Sequence, residues 1–178
     1  MQTQDPLILL QQMQQASLAN SPGLPEEAEA IRYWSGVGFR IGDMHLVSQL
    51  DQVTEVIQIP MMTPVPKTKK WVRGLSNIRG SLVPVIDVAE YFDKDPIKFS
   101  DRARVMVVDY QGFGVGLLVN EVFGLRHFDE EVERQPISRK KDNVLVYSSG
   151  GFLRDDILWF IFDMKALLGN EGFRNIST

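Results

Sequence analysis

The most restrictive feature of this chain is its rhythm. From residue 36 to residue 162 it runs in short apolar or alternating stretches, each closed by a turn signal. Gly36-Val37-Gly38-Phe39-Arg40-Ile41 alternates, Gly42-Asp43 is a turn dipeptide, and His45-Leu46-Val47 resumes, which predicts a hairpin. Residues 53–59 form a second run, ended by Pro60. Residues 81–87 form a third, and the internal Pro84 predicts an edge or a bulge because proline has no N–H for the ladder. Residues 104–110, the turn Gln111-Gly112 and residues 113–119 make another hairpin. Runs at 122–128, 143–148 and 157–162 complete the set. Short strands at this spacing predict a mainly β chain, a barrel or sandwich rather than alternating β–α units.

The rhythm repeats. Residues 82–92 read as an apolar strand, an Asp and an apolar helical turn, and residues 158–168 follow the same plan 76 positions later. In both copies the Asp (Asp87, Asp163) stands where a helix would start and can accept the free N–H groups of its first turn. Phe39, Ile41, Leu46, Leu50, Val53 and Val56 match Val108, Tyr110, Val115, Val119, Val122 and Leu125 at an offset of 69. Two offsets in the same order along the chain imply a duplication, with two small β units packed face to face around a shared core.

Ahead of the body, Asp5-Pro6 reads as a helix start, and Leu7, Leu10, Met13 and Leu18 follow on one face. The segment reads as a tail lying on its own domain, the alternative being a docking helix. The expected organisation is an N-terminal helical extension over 1–32, a β body over 33–170 and a C-terminal tail over 171–178.

Composition narrows the chemistry. With no Cys among 178 residues, disulfides, thiolate catalysis and Cys-ligated metal sites are excluded. A net charge of −4 argues against a nucleic-acid binder, whose affinity depends on clustered cations. No long apolar run and no basic region ahead of Leu7 predict neither a transmembrane helix nor a secretory signal, and hence a cytoplasmic protein.

Catalytic patterns are not found. His45 and His127 have no metal-ligand spacing and read as strand or turn residues. Gly112-Phe113-Gly114-Val115-Gly116 lies inside a hairpin, so turn and close packing explain it better than phosphate binding. The pairs Glu130-Glu131 and Asp155-Asp156 read as solvated loop charges. Lys67-Thr68-Lys69-Lys70 and Arg139-Lys140-Lys141 read as solvated loops, the alternative being contact with an acidic partner. The segment from Trp71 to Asp87 stands apart: apolar, yet turn-like at Gly74, Asn77 and Gly80. Within it Arg79 either pins its own loop or presents a five-donor fork to a partner.

This segment resembles the signature of the CheW-like domain, the coupling module of bacterial chemotaxis, in Asn77-Ile78-Arg79-Gly80 followed by Val83-Pro84-Val85-Ile86-Asp87. Residues 39–47 with Val53-Thr54-Glu55-Val56, residues 115–122, and residues 160–168 resemble further segments of that family in order. Asn120 stands where the family usually has Asp, and Arg154-Asp155-Asp156 is more charged than usual. The resemblance implies two packed SH3-like five-stranded β-barrels with short helices. It implies a non-catalytic adaptor, without cofactor or metal, linking a chemoreceptor's cytoplasmic tip to the regulatory domain of a CheA-type histidine kinase. Such an adaptor would sit at the inner face of the membrane through receptor arrays, with no direct membrane insertion and no nucleic-acid partner. Val53, Glu55, Gly74 and Arg79 match the family's receptor surface. The kinase is expected near Val115, Leu117, Val119 and Val122. The N-terminal extension and loop style are most similar to coupling proteins of type IV pilus (twitching motility) systems. The alternatives are a flagellar chemotaxis coupler and, from another class, a small-barrel nucleic-acid module.

Overall fold

Hairpins form where the turn signals stand. Strand β1 (Tyr33–Ile41) folds back on β2 (Met44–Gln49) through Gly42-Asp43, with Gly42 at φ +57°. Strand β6 (Arg104–Tyr110) folds back on β7 (Phe113–Val119) through Gln111-Gly112, both left-handed, as a two-residue turn matched to strand twist requires. The computed structural model describes residues 33–137 and 142–177. The expected N-terminal helix and the run Arg139-Lys140-Lys141 lie outside the described residues.

The remaining strands are β3 (Glu55–Ile57), β4 (Val72–Ile78), β5 (Ser81–Asp87), β8 (Glu121–Asp129), β9 (Arg134–Gln135), β10 (Ser148–Arg154) and β11 (Ile157–Phe162). Three short helices, α1 (Val88–Tyr91), α2 (Met164–Gly169) and α3 (Glu171–Arg174), complete the body. The strands form two sheets, ordered β8-β1-β2-β11-β10-β9 and β3-β6-β7-β5-β4. The second has the five strands expected; the first adds the two-residue β9.

The duplication holds at the level of register. Glu55, Val56 and Ile57 face Val107, Met106 and Val105; 69 residues away, Gly124, Leu125 and Arg126 face Gly38, Val37 and Gly36. The parallel pair Val85↔Gly116 corresponds in the same way to Ile161↔Val47. Yet the repeats are not two self-contained units face to face. The first hairpin of each repeat is inserted in the sheet built by the later strands of the other: β1-β2 between β8 and β11, and β6-β7 between β3 and β5.

Both sheets curl until their ends meet. Glu55 on the edge strand β3 reaches Arg79 at the end of the other edge strand, β4, at 2.8 Å. In the larger sheet Phe128 of β8 stacks on Phe152 of β10 with ring centroids 4.6 Å apart. The larger core lies between the sheets and joins Phe39, Ile41 and Leu46 to Val85, Val105 and Leu117. A smaller core of Val47, Phe128, Phe152, Trp159 and Ile161 fills the other face of the larger sheet. Consecutive residues Leu46 and Val47 thus enter different cores, as strand alternation dictates. The guanidinium groups of Arg154 and Arg126 roof the aromatic core, over Phe128 at 4.9 Å and over Trp159 at 5.4 Å.

The repeated Asp residues cap as expected. Asp87 Oδ1 accepts from Glu90 N at 3.1 Å and Asp163 Oδ1 from Ala166 N at 3.1 Å.

Several expectations are corrected. The turn-like stretch after Trp71 is a strand, with Gly74 (φ +142°) forming a bulge inside it rather than a reversal. Residues 143–147 are a 3-10 turn rather than a strand: Asp142 Oδ1 accepts from Val144 N at 2.9 Å, and Val144 and Leu145 are buried consecutively, not alternately. Strand β5 is interior, and Pro84 is tolerated because the ladder to β7 begins only at Val85. Residues 171–174 of the expected tail are helical, and the buried Phe173 stacks on Trp71 at 5.8 Å.

Candidate partner-binding surface

Arg79 and Gly80 are the two central residues of the β4–β5 turn, with φ of +52° and +87°. The turn is held from below, where Asn77 Oδ1 accepts from Gly80 N at 2.9 Å. A left-handed arginine is uncommon, but Asp155 in the equivalent β10–β11 turn and Gln111 in the β6–β7 turn take the same conformation, so the backbone alone does not mark Arg79 as special. Its side chain does. Arg79 Nη2 lies 2.8 Å from Glu55 Oε2, with the arginine side chain 81% exposed and the glutamate 17%. Arg79 is thus held by Glu55 of β3 rather than by its own loop, and most of its side chain remains exposed.

Val53, two residues before Glu55, is half-buried against the main core. Gly74 is buried beneath the chain at Thr63, and a Cβ built there would stand 2.5 Å from the Thr63 carbonyl oxygen. That approach lets Thr63 pair with Leu75, through N–H···O bonds of 2.8 and 2.9 Å, and cover the outer edge of β4. Gly74 therefore shapes this surface from beneath and cannot touch a partner itself. Of the four expected positions, the structure joins Glu55 and Arg79 directly.

The second expected cluster divides. Leu117 and Val119 are buried in the core, as is Leu118 between them, so neither can meet a partner: this end of β7 is covered on both faces. Val115 and Val122 are half-buried. Val115 lines an apolar hollow of about 320 Å³ with Pro84, Tyr110, Phe113 and Leu168, and Phe113 projects from the hairpin 76% exposed.

Other exposed apolar side chains escaped the sequence reading. Leu82 of β5 (73% exposed) borders a groove with Met61 (95% exposed), Leu75 and Asn77. Val56 is exposed next to Glu55 in sequence. Their counterparts in the other repeat, Leu158 for Leu82 and Leu125 for Val56, are exposed too. Strand alternation would have flagged them only had the buried face been known. The turns near these pairs differ in charge, Arg79-Gly80 in one and Asp155-Asp156 in the other.

The histidines occupy strands. His45 in β2 stacks on Phe123 at 5.2 Å, and burial followed by the charge of Arg40 pushes its imidazole below the ordinary range. His127 Nδ1 lies 2.7 Å from Ser35 Oγ. Among the described residues no group of three or more His, Asp or Glu is placed to hold a metal ion, and no helix is long and apolar enough to cross a membrane.

Two curled sheets built by exchange of repeated hairpins, with an Arg-bearing turn at the join, define a small double-β scaffold. The profile of the CheW-like domain matches residues 35–172, and the chain belongs to that family. Protein PilI of Pseudomonas aeruginosa is 32% identical over 174 residues, spanning 98% of this chain and 97% of that protein. Chemotaxis protein CheW of Thermotoga maritima is 31% identical over 131 residues, 69% of this chain and 83% of its own length. The crystal structure of the scaffolding protein TtCheW from Thermoanaerobacter tengcongensis shares the fold, with a TM-score of 0.69 at 23% identity over 83% of this chain and 95% of that one. Proteins of this family are scaffolds rather than catalysts.

Proposed function

We propose that this chain is a non-catalytic adaptor that couples a chemoreceptor's cytoplasmic tip to the regulatory domain of a CheA-type histidine kinase. Its pathway is that of type IV pilus twitching motility. The observation that carries the reading is the outward-facing Arg79 fork held by Glu55, at family-matched positions beside exposed apolar side chains. An exposed guanidinium with free donors next to apolar surface suits recognition of a helical hairpin's carbonyls and carboxylates. The duplicated body supports a two-partner role: like apolar pairs, Val56 and Leu82 against Leu125 and Leu158, stand near turns of unlike charge. The receptor contacts the Val53–Glu55 and Arg79 region, and the kinase the region of Val115 and Val122. The protein would then sit at the inner face of the membrane through its receptor. Similarity to PilI along nearly its whole length favours the twitching pathway over the flagellar one.

The test is a pull-down of the full chain with the receptor cytoplasmic fragment and, separately, the kinase. Arg79→Ala and Glu55→Ala are expected to lose receptor while retaining kinase and an unchanged melting curve. Full receptor retention by both variants refutes the assignment. Deletion of the gene, scored for twitching against swimming, decides the pathway.

A further inference from the structure

A concavity of about 1060 Å³ includes neither member of the Glu55–Arg79 ion pair in its lining. It is bounded by the loop after β3, by the start of β4 and by the segment leading into β6. Its lining is apolar at Ile59, Met62 and Val72, and Met61 and Phe99 stand exposed on its walls. The two segments flanking it, residues 67–73 and 98–104, hold seven Lys and Arg and one Asp. The whole chain has 19 basic and 23 acidic residues, so the remaining positions hold 12 and 22. Of these seven, Lys70, Arg73 and Arg104 line the cleft itself, with Asp101 the one carboxylate among its lining residues, so the cleft is positive on a molecule that is acidic overall.

That charge is poorly compensated. Among the described residues only Arg73 of the seven forms an ion pair, at 3.7 Å from Asp87 and 3.9 Å from Glu90. Arg104, lining the cleft, donates Nη1 to the carbonyls of Asp101 at 2.6 Å and Ala103 at 2.8 Å, which orient the guanidinium without neutralising it. Lys70 lines the same cleft with no carboxylate partner among the described residues. Cations unspent on the fold, around exposed Met and Phe, form a surface complementary to negative charge and apolar side chains together. Concavity chooses between anionic partners. A planar bilayer meets protruding side chains, whereas a cleft with its apolar residues on floor and walls admits a chain segment.

We propose that this cleft binds an acidic amphipathic segment of a partner protein, its apolar side chains set among Met61, Met62 and Phe99 and its carboxylates facing Lys70 and Arg104. Neither Glu55 nor Arg79 lines the cleft, but Met61 also borders the groove at Leu82, so the two readings are distinguished at Lys70 and Phe99, which line this cleft and not that groove.

The test uses the full chain labelled with ¹³C at its methionine methyls. It is titrated with a synthetic helical peptide bearing Leu on one face and Glu on the other, and with the same peptide carrying Lys for Glu. Vesicles of phosphatidylglycerol and phosphatidylcholine form a further arm. The Glu peptide is expected to shift the Met61 and Met62 methyls saturably and leave the buried Met106 and Met164 in place. Its affinity should fall as salt rises, and the Lys peptide should not bind. Lys70→Glu, an exposed position that leaves the fold intact, should weaken binding at least about fivefold, and Phe99→Ser should weaken it without changing the salt slope. Lys165→Glu, outside the cleft, should change nothing. Unmoved Met61 and Met62 methyls, equal binding by Lys70→Glu, or shifts produced by the vesicles and not by the peptide would each overturn the proposal.

Discussion

Asp87 and Asp163 hold the same place in the two repeats, and replacing each with Ala should cost different amounts. Asp87 is wholly buried. Its Oδ1 caps α1 through Glu90 N at 3.1 Å, and its Oδ2 accepts from Ile97 N at 2.9 Å, holding the loop after α1 against the body. Arg73 Nε stands 3.7 Å from the same carboxylate. Removing the cap costs about 1 kcal/mol. Leaving the buried Ile97 N–H without an acceptor costs about 1–3 kcal/mol more. The total for Asp87→Ala is about 2–4 kcal/mol. Asp163 is half-buried; it caps α2 through Ala166 N and accepts from Gln52 Nε2 at 3.2 Å. Asp163→Ala should therefore cost only about 1–2 kcal/mol, one cap and one partly solvated amide bond. Asp87→Asn, which keeps the volume and one acceptor, should fall between. Urea titration followed by tryptophan fluorescence measures all three, and hydrogen exchange at Ile97 should accelerate selectively in the Asp87 variants. If Asp163→Ala proved as costly as Asp87→Ala, burial would not be what separates the two caps, and the reasoning would fail.

Further outcomes follow from the same geometry. Gly74→Val places a Cβ 2.5 Å from the Thr63 carbonyl oxygen at φ +142° and should cost more than about 2 kcal/mol. Gly80→Ala at φ +87°, with nothing within 4 Å, should cost about 1 kcal/mol, both read from denaturant melts. Glu133 is held below the usual carboxylate range chiefly by its hydrogen bonds from Arg154, at 2.5 and 2.6 Å. A depressed folded pKa means that its stabilisation is present above the unfolded value and is lost as pH falls through the folded one. Glu133→Gln should accordingly be destabilised near neutrality and converge on the parent protein in acid, checked by melts at both pH values. Because each sheet contains a hairpin of the other repeat, both should unfold together, so fluorescence from Trp71 alone and from Trp159 alone, in variants with the other tryptophans replaced by Phe, should give coincident transitions.

Much of this architecture is legible in the linear order of residues. The hairpin turns, the two capping Asp residues and both repeat offsets depend on neighbours within a few positions, where turn chemistry and alternation act. The strand at residues 72–78 was hidden because Gly74 and Asn77 carry the same local signal whether they reverse a chain or bulge and close a strand. Leu117 and Val119 share a strand face with Val115, so alternation cannot separate them; burial rises along β7 because its C-terminal end enters the core on both faces.

What the sequence determined by itself is therefore a duplicated, mainly β chain with a marked Arg79 turn and a charge-rich but catalytically bare remainder. Tertiary structure alone decided the exchange of hairpins between repeats and the meeting of Glu55 with Arg79 across the closed sheet. It also decided the meeting of Lys70 and Arg73 with Phe99 and Arg104 around one cleft. The reason is physical. A strand's apolar face is satisfied by any sheet of the right spacing, so the choice of partner strand is settled only when the whole core closes at once.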